Sequence, residues 1–162
     1  MDIYLIRHGD ALALGESGST VDADRPLTAL GQGQAHAVGK SLLDQGVSLD
    51  KVVTSPFLRA RQTAEFILEE LTPPPELHVC DDLVPEGKPR KVARFLRNLG
   101  PEQVGLVGHM PQLGLLAAWL IGGKKTQIEL AKAGVAYISC GDKPRKGEGT
   151  LHWLVTPAWL AL

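Results

Sequence analysis

No stretch of this sequence is long and apolar enough to span a bilayer. No excess of positive charge draws it to nucleic acid or to acidic membranes, since the formal net charge is −1. Cysteine is scarce. Cys80 and Cys140 lie in apolar, strand-like surroundings and are not spaced as metal ligands. Buried, reduced thiols are expected, which places the protein in the cytoplasm. A signal peptide is not expected, because the first apolar run is short and reads as a strand. Internal repeats, low-complexity segments and linkers are missing too, so the 162 residues predict one domain over 1–162. Two catalytic signatures are absent: a Gly-rich loop before Gly-Lys-Ser/Thr, and a Gly-x-Ser-x-Gly elbow.

What is present is an ordinary apolar fraction of 44%, arranged as buried runs followed by helical patterns. Residues 3–6 form a bulky, β-branched run and predict a buried strand. It ends in Arg7, His8 and Gly9, a cation and an imidazole that are costly to bury without partners. Ligand sites of open α/β sheets lie beyond such strand ends. Arg7 and His8 are therefore either an anion site with a reactive imidazole or a charged, exposed strand end. A long loop follows, 10–27, of a length that suggests function. Thr28 is the expected N-cap of a helix to about residue 45, with Leu30, Ala37, Val38 and Leu42 inward and His36 on the surface.

Residues 51–55 predict the second strand, and Ser55-Pro56 a helix start, with Ser as cap and Pro in the first turn. Arg59 falls in that turn, either near the edge that carries Arg7 and His8 or exposed as an ordinary helix arginine. A short strand over 77–80, bearing His78, leads to Asp82 and Glu86. The helix over 88–99 carries Lys88, Arg90, Lys91, Arg94 and Arg97, a solvated face or a surface for an acidic partner. Residues 104–108 predict another buried strand, followed at once by His109-Met110-Pro111 and an apolar helix to about residue 121. His109 thus repeats the placement of His8 and precedes a helix N-terminus, a natural anion site. A short helix over 127–132 and two strands over 134–140 and 150–156, the second bearing His152, complete the chain.

Three strand-to-helix junctions supply Arg7 with His8, Arg59, and His109. Two guanidiniums match phosphate oxygens bidentately. A neutral imidazole is a competent nucleophile towards phosphorus, and nearby arginines keep it neutral. Zinc is the chemical rival for two histidines, but adjacent arginines repel a cation and no third ligand has the usual spacing.

These motifs resemble those of the histidine phosphatase (phosphoglycerate mutase-like) superfamily. Arg7-His8-Gly9 is similar to its Arg-His-Gly signature. Agreement continues in Arg25-Pro26-Leu27-Thr28 with Gly31, in Ser55-Pro56-Phe57-Leu58-Arg59-Ala60 with Thr63-Ala64, and in Gly108-His109-Met110-Pro111. The short chain and the run Arg7-His8-Gly9-Asp10-Ala11 look like the SixA-type branch, which acts on phosphohistidine. The resemblance implies a three-layer α/β/α fold with a mixed, mostly parallel central sheet. It implies that His8 takes the phosphoryl group, that Arg7, Arg59 and His109 form the pocket, and that Arg25 lies near it. The family's acid/base carboxylate would be Asp82, or else Glu86, where the chain departs from the fuller motif of the larger phosphatases. No metal or organic cofactor is implied. The expected partner is a phosphohistidine carrier protein or a small phosphorylated substrate, with no nucleic acid and no membrane. The remaining readings are a phosphatase of a small phosphomonoester and a non-catalytic phosphate-binding module.

Overall fold

All six strands expected from the sequence join one sheet. A computed structural model describes residues 1–16, 18–123 and 125–160, the side chain of Leu160 excepted. The strands are β1 (Asp2–Arg7), β2 (Lys51–Thr54), β3 (Glu76–Val79), β4 (Gln103–Gly108), β5 (Val135–Ser139) and β6 (Thr150–Val155). Their order is β3-β2-β4-β1-β5-β6. The first four are parallel, and β5 and β6 add an antiparallel edge. The helices are α1 (Ala29–Asp44), α2 (Leu58–Glu70), α3 (Pro89–Leu99), α4 (Gln112–Leu120) and the short α5 (Pro157–Leu160). None of them is long and apolar enough to cross a membrane.

The two-residue period of a strand divides the core in two. Ile3 and Leu5 of β1 pack with Val92 and Leu96 of α3 and Leu113 and Leu116 of α4. Tyr4 and Ile6 pack on the other face with Val38 and Leu42 of α1 and Ala60 and Ile67 of α2. The result is the expected three-layer α/β/α arrangement. Each fully buried Leu or Ile contributes about 1.5–3 kcal/mol.

Three local expectations change. The inward face of α1 is Gly31, Ala35, Val38, Gly39 and Leu42, while Leu30 is 64% exposed and Ala37 also faces water. Close packing of α1 selects small residues: a Cβ on Gly39 would lie 2.8 Å from the Ile67 carbonyl oxygen of α2. Helix α2 begins at Leu58, with Phe57 at the cap position and no side-chain cap bond, because Ser55 continues the β2 pairing through Ser55 N–H to Val107 O at 2.9 Å. Residues 127–132 are not helical. They run past the end of β1, where the Leu130 carbonyl accepts from Arg7 Nη1.

Candidate active site

Parallel register builds the site. Arg7 of β1 pairs with Gly108 of β4, and Thr54 of β2 with Val107. The residues that follow, His8, His109 and Ser55, therefore emerge side by side at one sheet edge. His8 N–H donates to Gly108 O at 3.0 Å, and the His8 and His109 ring centroids are 5.0 Å apart. Arg59, from the first turn of α2, closes the group and is only 4% exposed.

Behind them the backbone is tightly held. A Cβ on Gly9 would meet the Gly31 carbonyl oxygen at 2.5 Å, so the loop after β1 lies against the start of α1 only because both residues lack one. Gly9 N–H donates to Thr63 Oγ1, and Thr63 Oγ1 to the Arg59 carbonyl. Asp10 joins Lys132 and Thr28, and Lys132 holds its carboxyl below the usual range. Ala133 takes a left-handed φ of 55°, an uncommon state for a residue with a Cβ. Its N–H is shared between the Arg7 and His8 carbonyls, 3.1 Å from each.

The partners of His8 fix its tautomer. Nδ1 lies 2.7 Å from Gly9 O, which can only accept, so Nδ1 carries the hydrogen. Nε2 faces the Nε–H of Arg59 at 3.2 Å, which can only donate, so Nε2 holds a lone pair. Burial pushes the His8 pKa down to about 4. The charges of Arg59, Arg7 and Lys132 act in the same sense, and the Gly9 bond opposes them. At neutral pH the ring is a neutral imidazole with Nε2 available.

His109 is 1% exposed, and burial, followed by the charges of His8 and Arg59, pushes its pKa down to about 3. Its Nε2 lies 2.9 Å from Ser55 Oγ. A serine hydroxyl donates or accepts there; where it donates, the His109 proton sits on Nδ1. Arg7 Nη1 donates to Leu130 O at 2.7 Å. Arg7 Nε and His109 Nδ1 are buried without a hydrogen-bond partner among the described residues. Such orphaned polar atoms are costly, and an oxyanion would satisfy donors of this kind.

Sequence reasoning missed Asp22. Arg59 Nη2 lies 3.0 Å from Asp22 Oδ2, and Arg59 Nη1 donates to Asp22 O at 2.7 Å. The other carboxylate oxygen, Oδ1, takes Arg25 Nη1 at 2.8 Å, so Arg25 reaches the pocket edge through Asp22. The Arg25 bond, with Arg59 assisting, holds the Asp22 carboxyl below the usual range. The spacing of Asp22 and Arg25 was a readable signal for their pairing. Nothing in the sequence pointed from Asp22 to Arg59. Asp82 lies in a short turn (Asp81–Leu83), with Oδ1 3.4 Å from Lys91 Nζ of α3, and Glu86 is exposed. Neither makes a hydrogen bond to the Arg7, His8, Arg59 and His109 group. His36 bonds Glu70 on α2, and His152 bonds Ser139 within the sheet, both apart from the site.

Two buried imidazoles, the buried Arg59 and the half-buried Arg7 at the carboxyl ends of the parallel strands define a protein built to handle an oxyanion. Residues 3–84 match the "Histidine phosphatase superfamily (branch 1)". The chain belongs to that superfamily. It is 32% identical to the phosphohistidine phosphatase SixA of Escherichia coli (strain K12), over 100% of this chain and 98% of that protein. A solved structure of the protein histidine phosphatase SixA complexed with tungstate is similar at a TM-score of 0.87 and 31% identity, covering 99% of each chain. The alpha-ribazole phosphatase from Shigella flexneri shares the fold at a TM-score of 0.72 and 22% identity, covering 97% of each chain.

Proposed function

We propose that this protein is a phosphohistidine phosphatase that works through a phosphorylated His8. The observation that carries the reading is the His8 tautomer, buried and neutral, with the Nε2 lone pair held against the Arg59 guanidinium. A binding module needs cations for phosphate and no such nucleophile. Full-length likeness to the SixA phosphatase supports the substrate class. The tungstate in the SixA structure is a tetrahedral oxyanion, as phosphate is, and supports the phosphoryl part of the reading.

In the first step His8 Nε2 attacks phosphorus. The P–N bond of the substrate breaks, and its electron pair stays on the leaving imidazole, which is protonated. The Nδ1–H of His8 keeps its bond to Gly9 O and so stabilises the positive charge placed on the ring. Arg7, Arg59 and His109 hold the phosphoryl oxygens, where charge spreads in the transition state, and Arg25 acts from the pocket edge through Asp22. In the second step water attacks phosphorus, the P–Nε2 bond breaks, and its electrons return to His8. Orthophosphate leaves, and the water's proton passes to a base. Asp82 is the candidate for both proton transfers, acid first and base second. An imidazole leaves more readily than an alkoxide, so a substrate of this class suits a site whose central side chains bond, among the described residues, no carboxylate other than Asp22.

The unpaired thiols of Cys80 and Cys140 support a reducing, cytoplasmic setting. The one continuous sheet supports a single domain over 1–162. The deciding experiment offers a phosphohistidine carrier protein, sugar phosphates and nucleotides to the enzyme in the presence of a chelator. Rapid quenching should trap an acid-labile, alkali-stable phosphoenzyme, absent in His8→Ala, with the carrier protein turned over fastest. Equal turnover by His8→Ala would sink the assignment.

A further inference from the structure

We infer that Asp22 positions Arg59 for phosphoryl transfer, a role that rests on the reading of His8 as nucleophile. The Arg59 guanidinium is engaged at both ends. At the outer end Nη1 donates to the Asp22 main-chain oxygen at 2.7 Å and Nη2 to Asp22 Oδ2 at 3.0 Å. At the inner end Nε donates to His8 Nε2 at 3.2 Å. A guanidinium is planar and rigid, so fixing its outer end fixes the direction of its inner one. Asp22 is itself held, because its Oδ1 takes Arg25 Nη1 at 2.8 Å while Arg25 Nε donates to Leu12 O at 2.6 Å. One carboxylate thus spans two arginines and joins the loop ahead of α1 to the first turn of α2.

The division of the guanidinium edges gives the role its content. Asp22 uses the Nη1/Nη2 edge and leaves the Nε/Nη2 edge towards His8. That second edge is a fork of the kind that binds two phosphate oxygens. Asp22 also offsets the effect of burial on Arg59, since its bond and charge favour the protonated guanidinium. The Asp22 side chain is 50% exposed, outside both apolar cores, so its loss removes little packing. It touches no reacting atom, and it acts through Arg59.

The test compares Asp22→Ala, Asp22→Asn and Asp22→Glu with the unchanged enzyme. Four quantities are read: kcat and KM for p-nitrophenyl phosphate, the orthophosphate Kd by calorimetry, and the urea midpoint. In Asp22→Ala, kcat should fall and orthophosphate binding should weaken, each about 10–100-fold, the scale of a lost charge-assisted bond. The urea midpoint should stay near that of the unchanged enzyme. Asp22→Asn should lie between, and Asp22→Glu should recover part of kcat. Three results would overturn the inference. The first is unchanged kcat and Kd. The second is tighter orthophosphate binding with kcat retained, which would make Asp22 a competitor of phosphate. The third is losses in all variants that follow a lowered urea midpoint, which would make it a structural brace alone. Failure of the unchanged enzyme to form a His8 phosphoenzyme would reject the proposed function instead, and orthophosphate binding would still report on Asp22.

Discussion

Arg59 Nε points at His8 Nε2 across 3.2 Å, so the cation and the lone pair that would attack phosphorus share one line. The arrangement serves two ends. Together with burial, the larger cause, it keeps the imidazole unprotonated before substrate arrives, and it would place a guanidinium beside the oxygens of a phosphoryl group on Nε2.

Removing that guanidinium should hurt binding and chemistry together. Arg59→Ala should weaken orthophosphate inhibition and cost about 2–4 kcal/mol of transition-state stabilisation, read from kcat/KM. Arg59→Lys should recover only part, because a point charge cannot donate as a fork. Orthophosphate inhibition that is unchanged in Arg59→Ala would place Arg59 outside the phosphate site.

The depressed histidines predict an acid sensitivity with a definite sign. In the unfolded chain both rings take up protons near their ordinary pKa of about 6.5. In the folded chain His8 resists to about 4 and His109 to about 3. Between those limits the unfolded state binds more protons, so stability falls as pH falls from about 6.5 towards 3 and is level above that window. Each pKa unit corresponds to about 1.4 kcal/mol. Urea titrations from pH 7 to pH 4 should show the loss, and NMR should find both rings neutral at pH 5. Midpoints near 6.5 for both rings would refute the depression of their pKa values by burial.

The parts of the site legible in the sequence are those fixed by strand ends. Arg7, His8 and His109 follow buried apolar runs, and parallel register leaves them no place but the shared edge. Arg59 could be put near that edge by its helix turn, though its burial could not be read from a helix pattern. Asp22 was hidden because it sits in a loop whose path depends on tertiary bonds, Arg25 to Leu12 and Arg59 to Asp22. The face of α1 was misread for a different reason. Val38 and Leu42 face inward as expected, but the rest of the contact is made by Gly31, Ala35 and Gly39, small residues that close backbone approach selects and that an apolar pattern does not mark. The segment over 127–132 has helical composition, yet the Leu130 carbonyl serves Arg7, a demand that local propensity does not register.

Gln112, in the first turn of α4, is fully buried, and both ends of its amide lack a partner among the described residues. An unsatisfied buried polar group costs about 1–3 kcal/mol, which a shape-matched apolar group avoids. Gln112→Leu should therefore raise the stability measured by urea unfolding by about that amount. A destabilised Gln112→Leu would show that the amide is satisfied in solution.

Asp82 offers a way to separate the substrate classes. Asp82 lies beyond β3, paired with Lys91, with no hydrogen bond to the histidine pair. If it protonates the leaving group, Asp82→Asn should harm alkyl phosphomonoesters most, because an alkoxide leaves poorly without a proton. A phosphohistidine releases a much weaker base and should suffer less. General acid catalysis is typically worth about 10²–10⁴-fold, and that is the selective loss expected for alkyl esters. The comparison belongs in the pre-steady-state transfer to His8, since release of the phosphoenzyme by water would suffer equally for both substrates. Equal losses in that first step would reject Asp82 as the acid, and Glu86→Gln would then be examined in the same way. If neither change discriminates, transfer proceeds without a dedicated acid, and phosphohistidine is the substrate that such a site suits.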